Sequence, residues 1–136
     1  MLAVSRSFAL TVVIGVCVIV GCSSRSSDLP PLGKVSGTIT MDGTPVAGAE
    51  VTFVPGTGSP SVGMTDDEGQ YTLAYLQDVL GAEIGKHTVQ ISKYGEPGSL
   101  NDTENQLPAK YSQGSTLRAD VKEGRNSFDF ELKSGS

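Results

Sequence analysis

The sequence predicts an all-β protein, an antiparallel Greek-key β-sandwich of about seven strands. Three observations carry that prediction. Apolar residues recur at every second position in several short runs, the period of a half-buried strand. Turn-forming residues separate those runs, and the chain holds 17 glycines, 7 prolines and no tryptophan. Beyond the N-terminal segment no stretch repeats its apolar residues with the period of a helix.

The first residues read MLAVSRSFALTVVIGVCVIVGC. Arg6 precedes an apolar run of 13 residues, Phe8 to Val20. A spanning helix needs about 20 residues, so the run has the size of a signal-peptide core. An uncleaved membrane helix is the alternative. The end of the run, Ile19-Val20-Gly21-Cys22, resembles the lipobox of bacterial lipoproteins. That resemblance implies cleavage before Cys22, alkylation of its thiol with diacylglycerol, and fatty acyl chains such as palmitate. Two or three chains hold a protein to a bilayer far longer than one. In enteric bacteria, serine rather than aspartate after the cysteine favours the outer membrane, and here Ser23 follows. The expected location is therefore the cell envelope, lipid-anchored, at the outer membrane.

Residues 1–21 thus form the signal peptide, 22–33 the lipidated cysteine and a flexible tether, and 34–133 the folded domain. Cys17 leaves with the signal and Cys22 carries lipid, so the domain has no disulfide and must be held by its core. Removing Arg6 changes the formal charge from −5 to −6. An acidic domain with no basic cluster is a poor nucleic-acid binder, and no nucleic-acid partner is expected.

Within the domain, Val35, Gly37, Ile39 and Met41 share one face of a first strand. Asp42-Gly43 then signals a type I′ hairpin turn, because both central positions need positive φ. Thr44-Pro45-Val46 is an edge piece, since Pro45 has no N–H to give to a ladder. Ala47-Gly48-Ala49 turns the chain, and Glu50 to Val54 alternates with Val51 and Phe53 inward. Pro55 to Pro60, PGTGSP, is a loop by composition. Val62 and Met64 mark a further strand, and Thr65 to Tyr71, TDDEGQY, is a tight acidic turn leading to inward Tyr71 and Leu73. Tyr75 to Gly85 fits either a helical turn or a loop. Lys86 to Lys93 places His87, Val89 and Ile91 on one side and Thr88, Gln90 and Ser92 on the other. Tyr94 to Gly114 is long for a loop in a compact domain and is either functional or disordered. Leu117, Ala119 and Val121 alternate, Lys122-Glu123-Gly124 turns, and Phe128, Phe130 and Leu132 alternate. Those last two runs read as a C-terminal hairpin.

Three blocks, GTITMDGTPVAGAEVTFVP, TDDEGQYTL and GKHTVQISK, together resemble the carboxypeptidase-regulatory-like domain. The tail LPAKY…STLRADVKEGRNSFDFEL is similar to the ending of small bacterial lipoproteins of this type. The matching positions are Gly37, Asp42, Gly43, Pro45, Val46, Gly48, Ala49 and Val51, then Thr65, Asp66, Gly69 and Tyr71, then Gly85, Val89 and Ile91. The resemblance implies a transthyretin-like (prealbumin-like) sandwich, and in the carboxypeptidases this domain performs no chemistry. His87 departs from the pattern, standing where an aromatic such as tyrosine is usual.

Few residues suggest chemistry. Asp66, Asp67 and Glu68 are a candidate calcium site, but calcium wants six to eight oxygens. The alternative is an Asx-type turn in which Asp66 caps the backbone. His87 is the single histidine, with neither a nucleophile elbow nor enough ligands for the usual zinc set. No pair of carboxylates is marked out for glycoside hydrolysis. Tyr75, Tyr94 and Tyr111 flank loops, where they either stack on a sugar ring or pack at the sandwich ends.

The expected function is therefore non-enzymatic and needs no cofactor. A lipid-anchored β-sandwich is expected to meet an unidentified protein or glycan partner at the envelope, with Tyr94, Lys110 and Tyr111 as candidate contacts. A carbohydrate-binding module using loop tyrosines is the alternative, and a hydrolase is the third reading.

Overall fold

The computed structural model describes residues 29–100 and 102–135. The signal peptide, Cys22 and most of the tether lie outside these residues. Among the described residues, twelve strands of two to ten residues form two sheets that pack face to face, the all-β sandwich expected. None of the helices among the described residues is long and apolar enough to cross a membrane.

The first sheet is built around β1 (Leu32–Met41). Antiparallel neighbours are β2 (Thr44–Pro45), β5 (Gln70–Thr72) and β8 (Ala82–Glu83). Parallel neighbours are β11 (Arg125–Ser127) and β12 (Phe130–Leu132). The second sheet is antiparallel and runs β10 (Arg118–Val121), β9 (Gly85–Ser92), β3 (Glu50–Pro55), β4 (Ser61–Met64), β6 (Ala74–Leu76), β7 (Val79–Leu80). Tyr75 to Gly85 is thus neither a helical turn nor a plain loop, since it holds most of β6 with β7 and β8.

The hairpin after β1 forms as its residues dictate. Asp42 has φ 52° and Gly43 φ 82°, and no atom lies within 4 Å of the place a Gly43 Cβ would take. A Gly43→Val change therefore meets no clash and tests the backbone alone. It is expected to cost about 1–2 kcal/mol, the penalty of a left-handed β-branched residue. Urea unfolding measures it, and an unchanged midpoint would count against this turn as a stability determinant. Asp42 also ties down the C-terminus, because its carboxylate accepts from the Ser134 hydroxyl and from Ser134 N–H at 3.2 Å. Those bonds and the nearby Lys133 charge hold the Asp42 carboxyl below the usual aspartate range.

Two features depart from the sequence reading. The chain from Gln70 to Leu76 changes sheets at Leu73: β5 pairs with β1, while β6 pairs with β4. Leu73 N–H donates to Val35 O at 3.0 Å. The second departure concerns the C-terminal hairpin, which does not form. β10 lies at the edge of the second sheet beside β9, and β11 lies in the first sheet beside β1. Asn126 makes the crossing. Its amide accepts from Lys122 N–H at 2.9 Å and donates to Lys122 O at 2.8 Å and Lys34 O at 3.0 Å. One side chain thus closes the turn and joins it to β1.

The core lies between the sheets. Val35, Ile39, Val51, Leu73, Val89, Ile91, Val121 and Leu132 are fully buried there. Phe53 sits among rings, with centroids 5.7 Å from His87, 5.8 Å from Phe128, 6.4 Å from Phe130 and 6.5 Å from Tyr71. Tyr71 runs over Gly37, and its hydroxyl donates to Phe128 O at 2.6 Å. Burial pushes that phenol well above its usual range, and the Asp129 carboxylate adds to the shift. On β4 the inward residues are Ser61 and Gly63, so Val62 and Met64 face solvent.

Candidate functional site

The loop after β9 folds back over the outer face of the second sheet. Its fixing point is Asn105, whose Oδ1 accepts from Lys93 N–H at 2.9 Å and from Leu107 N–H at 3.1 Å. Its Nδ2 donates to Ser112 Oγ at 3.3 Å. Leu107 is buried, and Pro108 leads into a single 3₁₀ turn, Ala109–Tyr111. Burying Leu107 and Tyr111 anchors the returning half of the loop.

Between loop and sheet lies a groove of about 550 Å³. Its floor consists of outward side chains of two adjacent inner strands: Glu50 and Thr52 from β3, Gln90 and Ser92 from β9. Period-two alternation places them there, since Val51, Phe53, Val89 and Ile91 point into the core. Thr52 faces Gln90 directly across the ladder, and Glu50 faces Ser92. Tyr94, half-exposed, and Gln113 complete the walls. The Thr52, Gln90, Ser92 and Gln113 side chains find no hydrogen-bond partner among the described residues, whereas those of Asn105 and Ser112 are spent on holding the loop. No lysine or arginine lines the groove, and Glu50 is the one charge in it.

The three candidate contacts separate. Tyr94 is at the groove. Tyr111 is buried instead, and its phenol oxygen accepts from Lys133 N–H at 2.8 Å. Its packing and bond make it a strut of the loop rather than a surface contact. Lys110 stands over the Tyr111 ring, Nζ 5.1 Å from the centroid, a cation–π contact outside the groove lining.

The acidic turn takes the Asx form. Asp66 Oδ1 accepts from Glu68 N–H at 3.0 Å and from Gln70 N–H at 2.9 Å, while Asp67 and Glu68 are exposed. No group of three or more His, Cys, Asp or Glu among the described residues is placed to hold a metal ion. His87 is buried, with Nε2 2.6 Å from Glu83 O. Bonding to a carbonyl requires a proton on Nε2, and Nδ1 is buried with no partner among the described residues.

Sequence reasoning placed Gln90 and Ser92 on the outer face but gave no sign that they floor a groove. The missing signal was the return of the loop, which depends on the Asn105 amide and on two buried side chains distant from the strands.

No family model matches the chain, and no curated protein matches it. Among solved structures it is similar to a DUF3823 family protein from Parabacteroides merdae, at 12% identity and a TM-score of 0.43. The match covers 77% of this chain and 46% of that one, so the chain spans less than half that protein's length.

Proposed function

We propose that the chain is a membrane-anchored lipoprotein whose β-sandwich, of the carboxypeptidase-regulatory-like type, is a non-catalytic module for protein or glycan contact at the cell envelope. The observation that carries this reading is the groove over β3 and β9. It presents unspent polar groups and an exposed tyrosine on a rigid sheet, the arrangement of a binding surface held by a scaffold. Buried His87, bonded to a carbonyl, supports a non-enzymatic role, because general-base work needs a group within reach of substrate.

The anchor is tested first. Cys22→Ser is expected to move the protein from the membrane fraction to the soluble one, since the acyl chains supply the membrane affinity. Retention in the membrane pellet would overturn the lipid-anchor reading. The working face is tested by photo-crosslinking in the native cell, with the reactive side chain placed at Gln113 beside the groove or at exposed Thr72 on the other sheet. Specific adducts are expected from Gln113 alone, and the same adducts from both positions would remove the assignment to this face.

A further inference from the structure

The groove's lining identifies a chemical class of ligand, on the reading above that this face binds. We infer that the groove takes a neutral oligosaccharide, with Tyr94 as its stacking surface and Gln90, Thr52, Gln113 and Glu50 as its hydroxyl-binding groups.

Each part of the lining points the same way. The side chains of Thr52, Gln90 and Gln113 are neutral and carry both donors and acceptors, which matches hydroxyls that do both. The Glu50 carboxylate accepts only, a partner for the hydroxyl hydrogens of a diol. An anionic ligand is disfavoured, because the lining holds no cation and one carboxylate. A lipid tail finds polar groups where it needs apolar ones.

A peptide is disfavoured by the sheet itself. Peptides that add to sheets use the backbone groups of an unpaired edge. The floor strands have none: β3 is paired with β9 and β4, and β9 with β3 and β10. Recognition at this place must therefore use side chains. Tyr94 supplies the flat apolar surface that a sugar ring needs. It also lines a second depression of about 490 Å³, along with Met64, Lys93 and Glu96. A tyrosine shared by two hollows suits a chain of sugar units better than a single unit.

The test uses the full chain in detergent micelles. The probes are five neutral hexasaccharides, those of maltose, cellulose, chitin, xylan and laminarin type, with an oligogalacturonate as the anionic control. At least one neutral hexamer is expected to bind, more tightly than its monomer, with a dissociation constant below about 1 mM. Tyr94→Ala is expected to weaken that binding about tenfold, while Tyr94→Phe, which keeps the ring, stays within about threefold. Gln90→Leu is expected to weaken it about fivefold or more, and melting curves check that each variant is folded.

The proposal fails if no neutral hexamer binds at about 10 mM, if the galacturonate binds best, or if binding is the same in Tyr94→Ala and Gln90→Leu. A protein crosslinked at Gln113 with no sugar bound also overturns it, yet leaves the non-catalytic module in place. Turnover of any bound hexamer would overturn the module reading as well.

Discussion

Gly37→Ala is expected to cost about 2–4 kcal/mol of stability, a large part of what a domain of this size has. The added Cβ would stand 1.8 Å from the Phe128 carbonyl oxygen and 2.6 Å from its carbon. Both are backbone atoms, so no rotamer change relieves the contact. The segment at Phe128 is fixed on two sides: its N–H donates to Ser36 O at 2.9 Å, and its O accepts from the Tyr71 hydroxyl. Moving it away from β1 strains the first bond and breaks the second. Urea unfolding measures the effect, and a midpoint equal to that of the parent chain would refute the close approach. Tyr71→Phe removes the hydroxyl alone and is expected to cost about 1 kcal/mol.

Phe53→Ala is expected to cost about 3 kcal/mol, at the lower end of the range for removing a buried phenylalanine. The ring is fully buried and touches both sheets, so its loss leaves a hole that close-packed neighbours fill only in part. The lower end is expected because the walls of this hole are unusual. Ser61 lies directly opposite Phe53 on β4, and His87 is the nearest ring. Ser61 Oγ and His87 Nδ1 are both buried without partners. A water entering the hole would bond to such atoms, which an all-hydrocarbon cavity does not offer. Calorimetry gives the cost, and a crystal structure of the variant shows whether the hole is wet. A cost under about 1 kcal/mol would mean that Phe53 is not a keystone of the core.

These two sites show what was legible in the residues and what was not. Alternation identified the inward faces of β1, β3 and β9, because burying Ile39, Phe53 or Ile91 is a local demand on the strand that carries it. Asp42-Gly43 identified its turn by backbone geometry alone. Alternation says which side of a strand is buried, but not which sheet the strand joins. For that reason Leu73 and Asn126, where the chain crosses between sheets, gave no warning, and the last two strands passed for a hairpin. On β4, Val62 and Met64 marked the strand but not its inward face: small Ser61 and Gly63 are inside, where Gly63 lies against the Thr72 carbonyl, and Val62 and Met64 are left outside. At the groove, Tyr94 and Tyr111 were indistinguishable by type. The 3₁₀ turn after Pro108 carries Tyr111 inward, and that turn is held by contacts far along the chain.

The position of β1 bears on how the domain responds to a pull. The strand begins at Leu32, the first strand residue of the described domain and two residues inside the segment expected as a tether, so tension applied from the N-terminal side arrives there first. It then meets β11 and β12, which run in the same direction as β1 and grip it along most of its length. Drawing β1 out lengthwise strains these ladder bonds together in shear, rather than opening them one after another like a zipper. A pull applied at Leu32 along β1 therefore loads the domain in its mechanically strongest direction.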